Sequence, residues 1–241
     1  MSQTGRLRGR IALITGASRG IGAAVAKAYA AEGAHVVLVA RTVGGLEELD
    51  DEITALGGTA TLVPLDLTDG QAIDGLAAPV LERWKRLDIL VGNAAILGRL
   101  GPVGHCPPDL WDRVMALNVT ANWRLIRALD PLLRASDAGR VIFVTSGITQ
   151  TTIPFWGVYA ASKAALEALA RTYAAETARS RVRVNMVNPG PTRTRMRAQA
   201  FPGENPNELP PPEHVTETFI RLAEPAFTDT GQWVSADSGE K

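Results

Sequence analysis

The sequence predicts an α/β fold: a single doubly wound parallel sheet of about seven strands with helices on both faces. Three observations carry this. Short apolar runs alternate six times with longer helical patterns. The runs are short and β-branched enough to be buried strands. A glycine-rich turn joins the first run to the first helix, as ligand-binding α/β sheets require. No repeat and no interdomain linker interrupts the pattern, so residues 1–241 are expected to form one domain.

Residues 10–15 (RIALIT) form the first strand, and an Ala-rich helix then runs to about Glu32 and stops at Gly33. Between them stands Gly16-Ala17-Ser18-Arg19-Gly20-Ile21-Gly22, a G-x-x-x-G-x-G spacing. Gly16 allows the turn, Gly20 lets backbone amides approach a pyrophosphate, and Gly22 permits close packing of helix on strand. The helix N-terminus adds a favourable dipole for phosphate. The context is that of a Rossmann-type dinucleotide site.

Residues 35–40 (HVVLVA) form the second strand, followed by Arg41. A cofactor with a free ribose 2′-hydroxyl is usually met by Asp or Glu at this point. Arg41 stands there instead, and Arg19 is within reach; both suit a 2′-phosphate, which predicts NADP(H) in preference to NAD(H). A helix over 46–56 ends at Gly57-Gly58, and Thr59 to Leu65 is the third strand. Asp66, at its carboxyl end, is placed to bond an adenine amino group; Thr68 or Asp69 suits better as cap for a helix over about 70–83. Residues 88–92 are the fourth strand, and the small residues Asn93-Ala94-Ala95 let a cofactor lie against the backbone.

Residues 107–134 read as mostly helical. Asn118 lies in the middle among apolar residues, where Asn is a poor helix former; a local kink and a bound water are expected there. Residues 140–145 are the fifth strand, ending at Ser146, whose hydroxyl can meet a substrate oxygen. After a helix over about 157–178 come the sixth strand, residues 182–188, and then Pro189-Gly190-Pro191-Thr192. The stretch 191–212, rich in Pro, Asn and Gly, reads as a lid. A short helix over 216–223, a last strand over 232–236 and a frayed tail, Asp237 to Lys241, complete the chain.

Composition bounds the function. Of 241 residues, 46% are hydrophobic and 21% charged, as in ordinary globular proteins. Lys plus Arg equals Asp plus Glu at 25 each, so no basic excess suggests nucleic acid or an anionic membrane as partner. Cys106 is the single cysteine; it forms no internal disulfide and no cysteine metal cluster. Arg6, Arg8 and Arg10 precede an apolar run too short for a signal-peptide core, and no run approaches a membrane span. A soluble cytoplasmic protein without metal is expected.

The chemistry centres on Tyr159-Ala160-Ala161-Ser162-Lys163, where phenol and ammonium share one helix face, one turn apart. A free Tyr has a pKa of about 10 and is a poor base at neutral pH. A neighbouring cation favours the phenolate. Bringing it near pH 7 takes about 4 kcal/mol, more than one Lys is expected to supply. An oxidised nicotinamide ring would be the second positive charge.

Over roughly residues 8–236 the sequence resembles the classical short-chain dehydrogenase/reductase family. Thr15 through Gly22 is similar to its cofactor loop, and Tyr159 and Lys163 to its Tyr-x-x-x-Lys. Ser146 and Asn118 fall where the family keeps the rest of a catalytic tetrad. The resemblance implies hydride transfer between NADP(H) and a small carbonyl or alcohol substrate. In it Tyr159 trades the proton, Lys163 lowers the Tyr159 pKa and bonds the nicotinamide ribose, Ser146 polarises the substrate oxygen, and Asn118 holds a water linking Lys163 to solvent. It implies cofactor contacts from Gly16, Ser18, Arg19, Gly20, Ile21, Gly22, Arg41, Asp66, Leu67, Asn93, Ala94, Ala95, Tyr159, Lys163, Pro189, Gly190, Thr192 and Thr194. It also implies a homotetramer or homodimer through helices near 110–134 and 157–178. One departure is clear: the family's Asn-Asn-Ala-Gly reads Gly92-Asn93-Ala94-Ala95, which adds a methyl where the nicotinamide ribose should pass. The 193–202 stretch resembles a bacterial branch whose substrate it does not name. Ile153, Phe155, Trp156, Met196 and Phe201 are expected to line an apolar substrate pocket. An NADP-binding sensor of the same fold with little turnover is the alternative reading.

Overall fold

A computed structural model describes residues 5–236; the expected frayed tail, residues 237–241, lies outside the described residues. Seven parallel strands form one sheet in the order β3-β2-β1-β4-β5-β6-β7. They are β1 (Ile11–Thr15), β2 (His35–Ala40), β3 (Thr59–Pro64), β4 (Ile89–Gly92), β5 (Arg140–Val144), β6 (Arg183–Asn188) and β7 (Trp233–Ser235). The order reverses between β1 and β4, and this opens a crevice beyond their carboxyl ends, where such sheets bind ligands.

Helices cover both faces, and the period of two within each strand sorts the side chains between them. On one face, α1 (Gly20–Ala31), α2 (Val43–Ala55) and α9 (Thr216–Ala223) pack on Ala12, Ile14, Val36, Leu38 and Val91. On the other, α3 (Gly70–Asp74), α4 (Ala77–Trp84), α6 (Ala121–Ala135) and α7 (Gly157–Thr177) pack on Leu13, Val37, Val39, Leu90 and Val141. Burying each such aliphatic side chain stabilises the sheet by about 1.5–3 kcal/mol. β1, β4 and β5 are buried along their whole length.

Three elements differ from expectation. The helix expected over 70–83 is two, α3 and α4, broken at Gly75-Leu76. The ring of Pro79 cannot accept an unbroken helix, because it would strike the carbonyl four residues back. Asp69 caps α3 by accepting the amides of Gln71 and Ala72. The long helix is α5 (Pro108–Met115), one π turn over Ala116–Thr120, and α6. Asn118 sits in that π turn, so the helix is irregular at this residue. The stretch 191–212 contains a short helix, α8 (Arg195–Ala200), whose N-cap Thr194 accepts the Arg197 amide. No helix among the described residues is long and apolar enough to cross a membrane.

Candidate active site

The carboxyl ends of β1 and β4 are bolted together by two side chains. The Thr15 hydroxyl donates to the Val91 carbonyl at 3.2 Å and accepts the Asn93 and Ala94 amides at 2.9 and 3.1 Å. Asn93 Nδ2 donates to the Thr15 carbonyl at 2.8 Å. Asn93 thus braces the floor of the crevice. Gly22 lies against the same brace. A Cβ there would stand 2.4 Å from the Gly16 carbonyl oxygen and 2.6 Å from Asn93 Nδ2, so no side chain fits. Gly16 and Gly20 have φ of +65° and +58°, a left-handed conformation that glycine adopts without strain.

Above this loop lies a cavity of about 840 Å³. Gly16, Ser18, Arg19, Gly20, Ile21, Arg41, Asp66, Leu67, Asn93, Ala94, Ala95, Pro189, Gly190, Thr192 and Thr194 all line it, with Ser146, Tyr159 and Lys163; Gly22 and Asn118 stand behind the wall. The N-terminus of α1 opens onto it with no side-chain cap and no acid in the first turn. Its free amides and dipole suit a pyrophosphate. Arg41 reaches Asp66 at 3.7 Å, so an acid stands at the end of β3, although none follows β2. The other Asp66 oxygen accepts the Thr68 amide and hydroxyl at 2.9 and 2.8 Å, and these bonds hold the carboxyl below its usual pKa. The wall farther in is apolar: Leu97, Ile148, Ile153, Trp156, Met196 and Phe201. Phe155 is not part of it. Its backbone takes φ +74°, and its ring is 58% exposed outside the cavity.

Tyr159 and Lys163 are both buried on α7, 7% and 2% exposed. Lys163 Nζ donates to the Val144 carbonyl at 2.8 Å and lies 5.7 Å from the centre of the Tyr159 ring. Ser146, two residues beyond β5, accepts the Ile148 amide at 3.3 Å and lies close enough to the Tyr159 phenol to lower its pKa. The expected lowering of the Tyr159 pKa is not what the protein alone provides. Burial pushes the phenol up to about 12, and the neighbouring Ser146 hydroxyl only partly opposes it. Burial also lowers the Lys163 ammonium to about 8, with Glu167 pulling it back. Removing both groups from water outweighs their attraction.

Asn118 is bonded within the protein through its side chain. Its side chain accepts the Ile96 amide at 2.9 Å and donates to the Ile96 carbonyl and to Ser162 Oγ, both at 3.0 Å. Its carbonyl accepts from Asn122 Nδ2 at 2.9 Å. The residue therefore ties the Asn93–Leu97 loop to α7. Two site residues escaped the sequence. Asn188 Oδ1 accepts the Gly147 and Gly190 amides at 2.9 and 3.2 Å, joining the Ser146 loop to the Pro189-Gly190 turn. Glu167 is buried one turn beyond Lys163. The i+4 spacing from Lys163 was its only signal, and such a pair ordinarily reads as exposed.

The profile of the short chain dehydrogenase family matches residues 10–205. The chain belongs to the short chain dehydrogenase family. It is 37% identical over 239 residues to the uncharacterized oxidoreductase YciK of Escherichia coli K12, covering 98% of this chain and 94% of that protein. A short chain dehydrogenase from Shigella flexneri 2a, solved in complex with NADP, superposes with a TM-score of 0.93 at 38% identity, covering 97% of this chain and 99% of the other. Another from Escherichia coli CFT073, solved with NADPH, gives 0.91 at 37% identity over 98% and 100%. This short chain dehydrogenase is therefore an oxidoreductase.

Proposed function

We propose that this short chain dehydrogenase interconverts a small apolar carbonyl compound and its alcohol with NADP(H) in preference to NAD(H). The observation that carries this reading is the meeting of Tyr159, Ser146 and Lys163 on the inner wall of one cavity. The cofactor, when bound, supplies or accepts the hydride. Tyr159 gives its proton to the carbonyl oxygen in reduction and takes it back in oxidation. A phenol held near pKa 12 stays protonated at neutral pH, so it has a proton to give to the more basic alkoxide that develops in reduction. Oxidation needs the phenolate, which Lys163 and a pyridinium must favour together. Ser146 orients the substrate oxygen.

The α1 N-terminus and the glycine loop bind the pyrophosphate, while Arg19 and Arg41 meet the 2′-phosphate. NADP and NADPH in the two relatives support that choice. Trp156, Phe201, Met196 and Ile153 give the substrate an apolar bed, and 191–212 acts as its lid, held by the Arg197–Glu204 pair at 2.6 Å. Trp111 and Trp123, 41% and 44% exposed on α5 and α6, favour a homodimer or homotetramer through those helices and α7. We place the protein in the cytoplasm. The test is a screen of aldehydes, ketones and diketones, read by loss of NADPH absorbance. Turnover that disappears in Tyr159→Phe while NADPH still binds supports the reading. NADPH binding with no turnover across the panel replaces it with a sensor.

A further inference from the structure

The face of α7 that carries Tyr159 and Lys163 carries one more ionisable group. Glu167 lies two turns beyond Tyr159 and is 2% exposed. A buried carboxylate is costly unless donors surround it, and Glu167 has four. One oxygen accepts from the hydroxyls of Thr145 and Thr149, the latter at 2.7 Å, and from the Trp233 indole N–H at 2.9 Å. The other accepts from Arg171 at 2.8 Å. Together they hold its pKa below the usual carboxylate value despite burial.

The donors come from places that matter. Thr145 directly precedes Ser146, and the Thr149 amide bonds the Ser146 carbonyl at 3.2 Å. Thr145 follows Val144, whose carbonyl holds Lys163. Trp233 begins β7, at the edge of the sheet. One carboxylate thus joins the turn that carries Ser146, the helix that carries Tyr159 and Lys163, and the last strand. A surface Glu would need none of this.

We propose that Glu167 is a positioning residue: its carboxylate clamps the Ser146 turn onto α7 and its negative charge supports the Lys163 ammonium. The proposal rests on the roles given to Tyr159, Ser146 and Lys163 above. The charged and titratable groups facing the pair are Tyr159 and Arg171 on α7 itself. β5, the Ser146 turn and β7 present the neutral side chains of Thr145, Ser146, Thr149 and Trp233; the π turn presents Asn118 against Ser162.

The chain has four lysines, Lys27, Lys85, Lys163 and Lys241, so Lys163 can be titrated directly by carbon NMR of labelled lysine, with no need for turnover. Its signal is the one missing in Lys163→Met. Glu167→Gln keeps the shape and removes the charge. We expect the Lys163 midpoint to move down by at least half a unit and kcat to fall about tenfold, with Glu167→Asp restoring most of both. Thr149→Val keeps the charge and removes one strut of the clamp, and it serves should Glu167→Gln fail to fold. It should lower kcat several-fold with NADPH affinity and the Lys163 midpoint unchanged. A folded Glu167→Gln with an unmoved Lys163 midpoint, or a Thr149→Val with wild-type kcat, overturns the proposal. If no carbonyl is turned over by the wild type yet the midpoint moves, the reading of the enzyme fails and the Glu167–Lys163 coupling stands.

Discussion

Tyr159 and Lys163 stand with the ammonium nitrogen 5.7 Å from the ring centre, and both are all but excluded from water. Closeness of this kind is usually taken to make the phenol acidic. Here burial governs both groups, raising one to about 12 and lowering the other to about 8. The free protein therefore holds a neutral phenol and an ammonium that is readily deprotonated. A further cation must enter the crevice before the phenolate becomes accessible near neutral pH.

The buried ammonium has a thermodynamic signature. Its folded pKa of about 8 lies below the ordinary lysine value of 10.5, so the unfolded chain binds more protons between those limits. The Lys163 contribution opposes folding at pH 7, and that cost is relieved as pH rises through about 8 toward 10.5. Lys163→Met should melt at or above wild type at pH 7, with the advantage gone by pH 10, while turnover is lost. Thermal melts of both proteins at the two pH values check this. A variant that melts far below wild type at pH 7 contradicts it.

Gly22 is where the cofactor loop has least tolerance. An added methyl meets the Gly16 carbonyl at 2.4 Å and the Asn93 brace at 2.6 Å, and backbone cannot yield cheaply. Gly22→Ala is expected to cost about 1–3 kcal/mol of stability and to weaken NADPH binding more than tenfold. Denaturant melts and fluorescence titration read both.

Arg41 tests coenzyme choice. It is exposed, and its weak contact with Asp66 at 3.7 Å leaves its fork available to a phosphate. A charge-assisted hydrogen bond contributes about 1.5–3 kcal/mol, so Arg41→Ala should lower NADPH affinity ten- to a hundred-fold and leave NADH affinity nearly unchanged. Equal losses for the two would show that Arg41 supports the fold rather than the 2′-phosphate.

Asn118 makes three side-chain bonds in the interior, two of them to the Ile96 backbone. Removing them strands a buried amide and carbonyl, at about 1–3 kcal/mol each. Asn118→Ala should lose stability of that order, and hydrogen exchange at the Ile96 amide should rise with it. Protection of Ile96 unchanged from wild type would contradict the role given to Asn118.

Much of this was legible in the sequence. The strands announce themselves through β-branched runs, and the glycine loop through its flanks; both are local patterns. Tyr159, Lys163, Ser146 and, Gly22 apart, the residues expected to meet a cofactor line the cavity. What stayed hidden depends on tertiary placement. Glu167 looks like half of a surface pair until β5 and β7 deliver its donors. Asn93 and Asn188 look like turn residues until their amides are seen to join neighbouring strand ends. Phe155 looks like a pocket residue, but it stands exposed outside the cavity. The balance of burial against charge at Tyr159 is set by how much water the whole fold excludes, which no spacing records.

The most direct test is a near-ultraviolet phenolate titration with and without NADP+, using Tyr159→Phe as the blank. The chain has three tyrosines, and burial holds Tyr29 and Tyr173 above the ordinary phenol range as well. The expected result is a Tyr159 phenolate that forms near pH 12 in the free protein and below the ordinary phenol value of about 10 once NADP+ is bound. A midpoint that stays the same when NADP+ binds, or a shift that survives in Tyr159→Phe, would contradict the account.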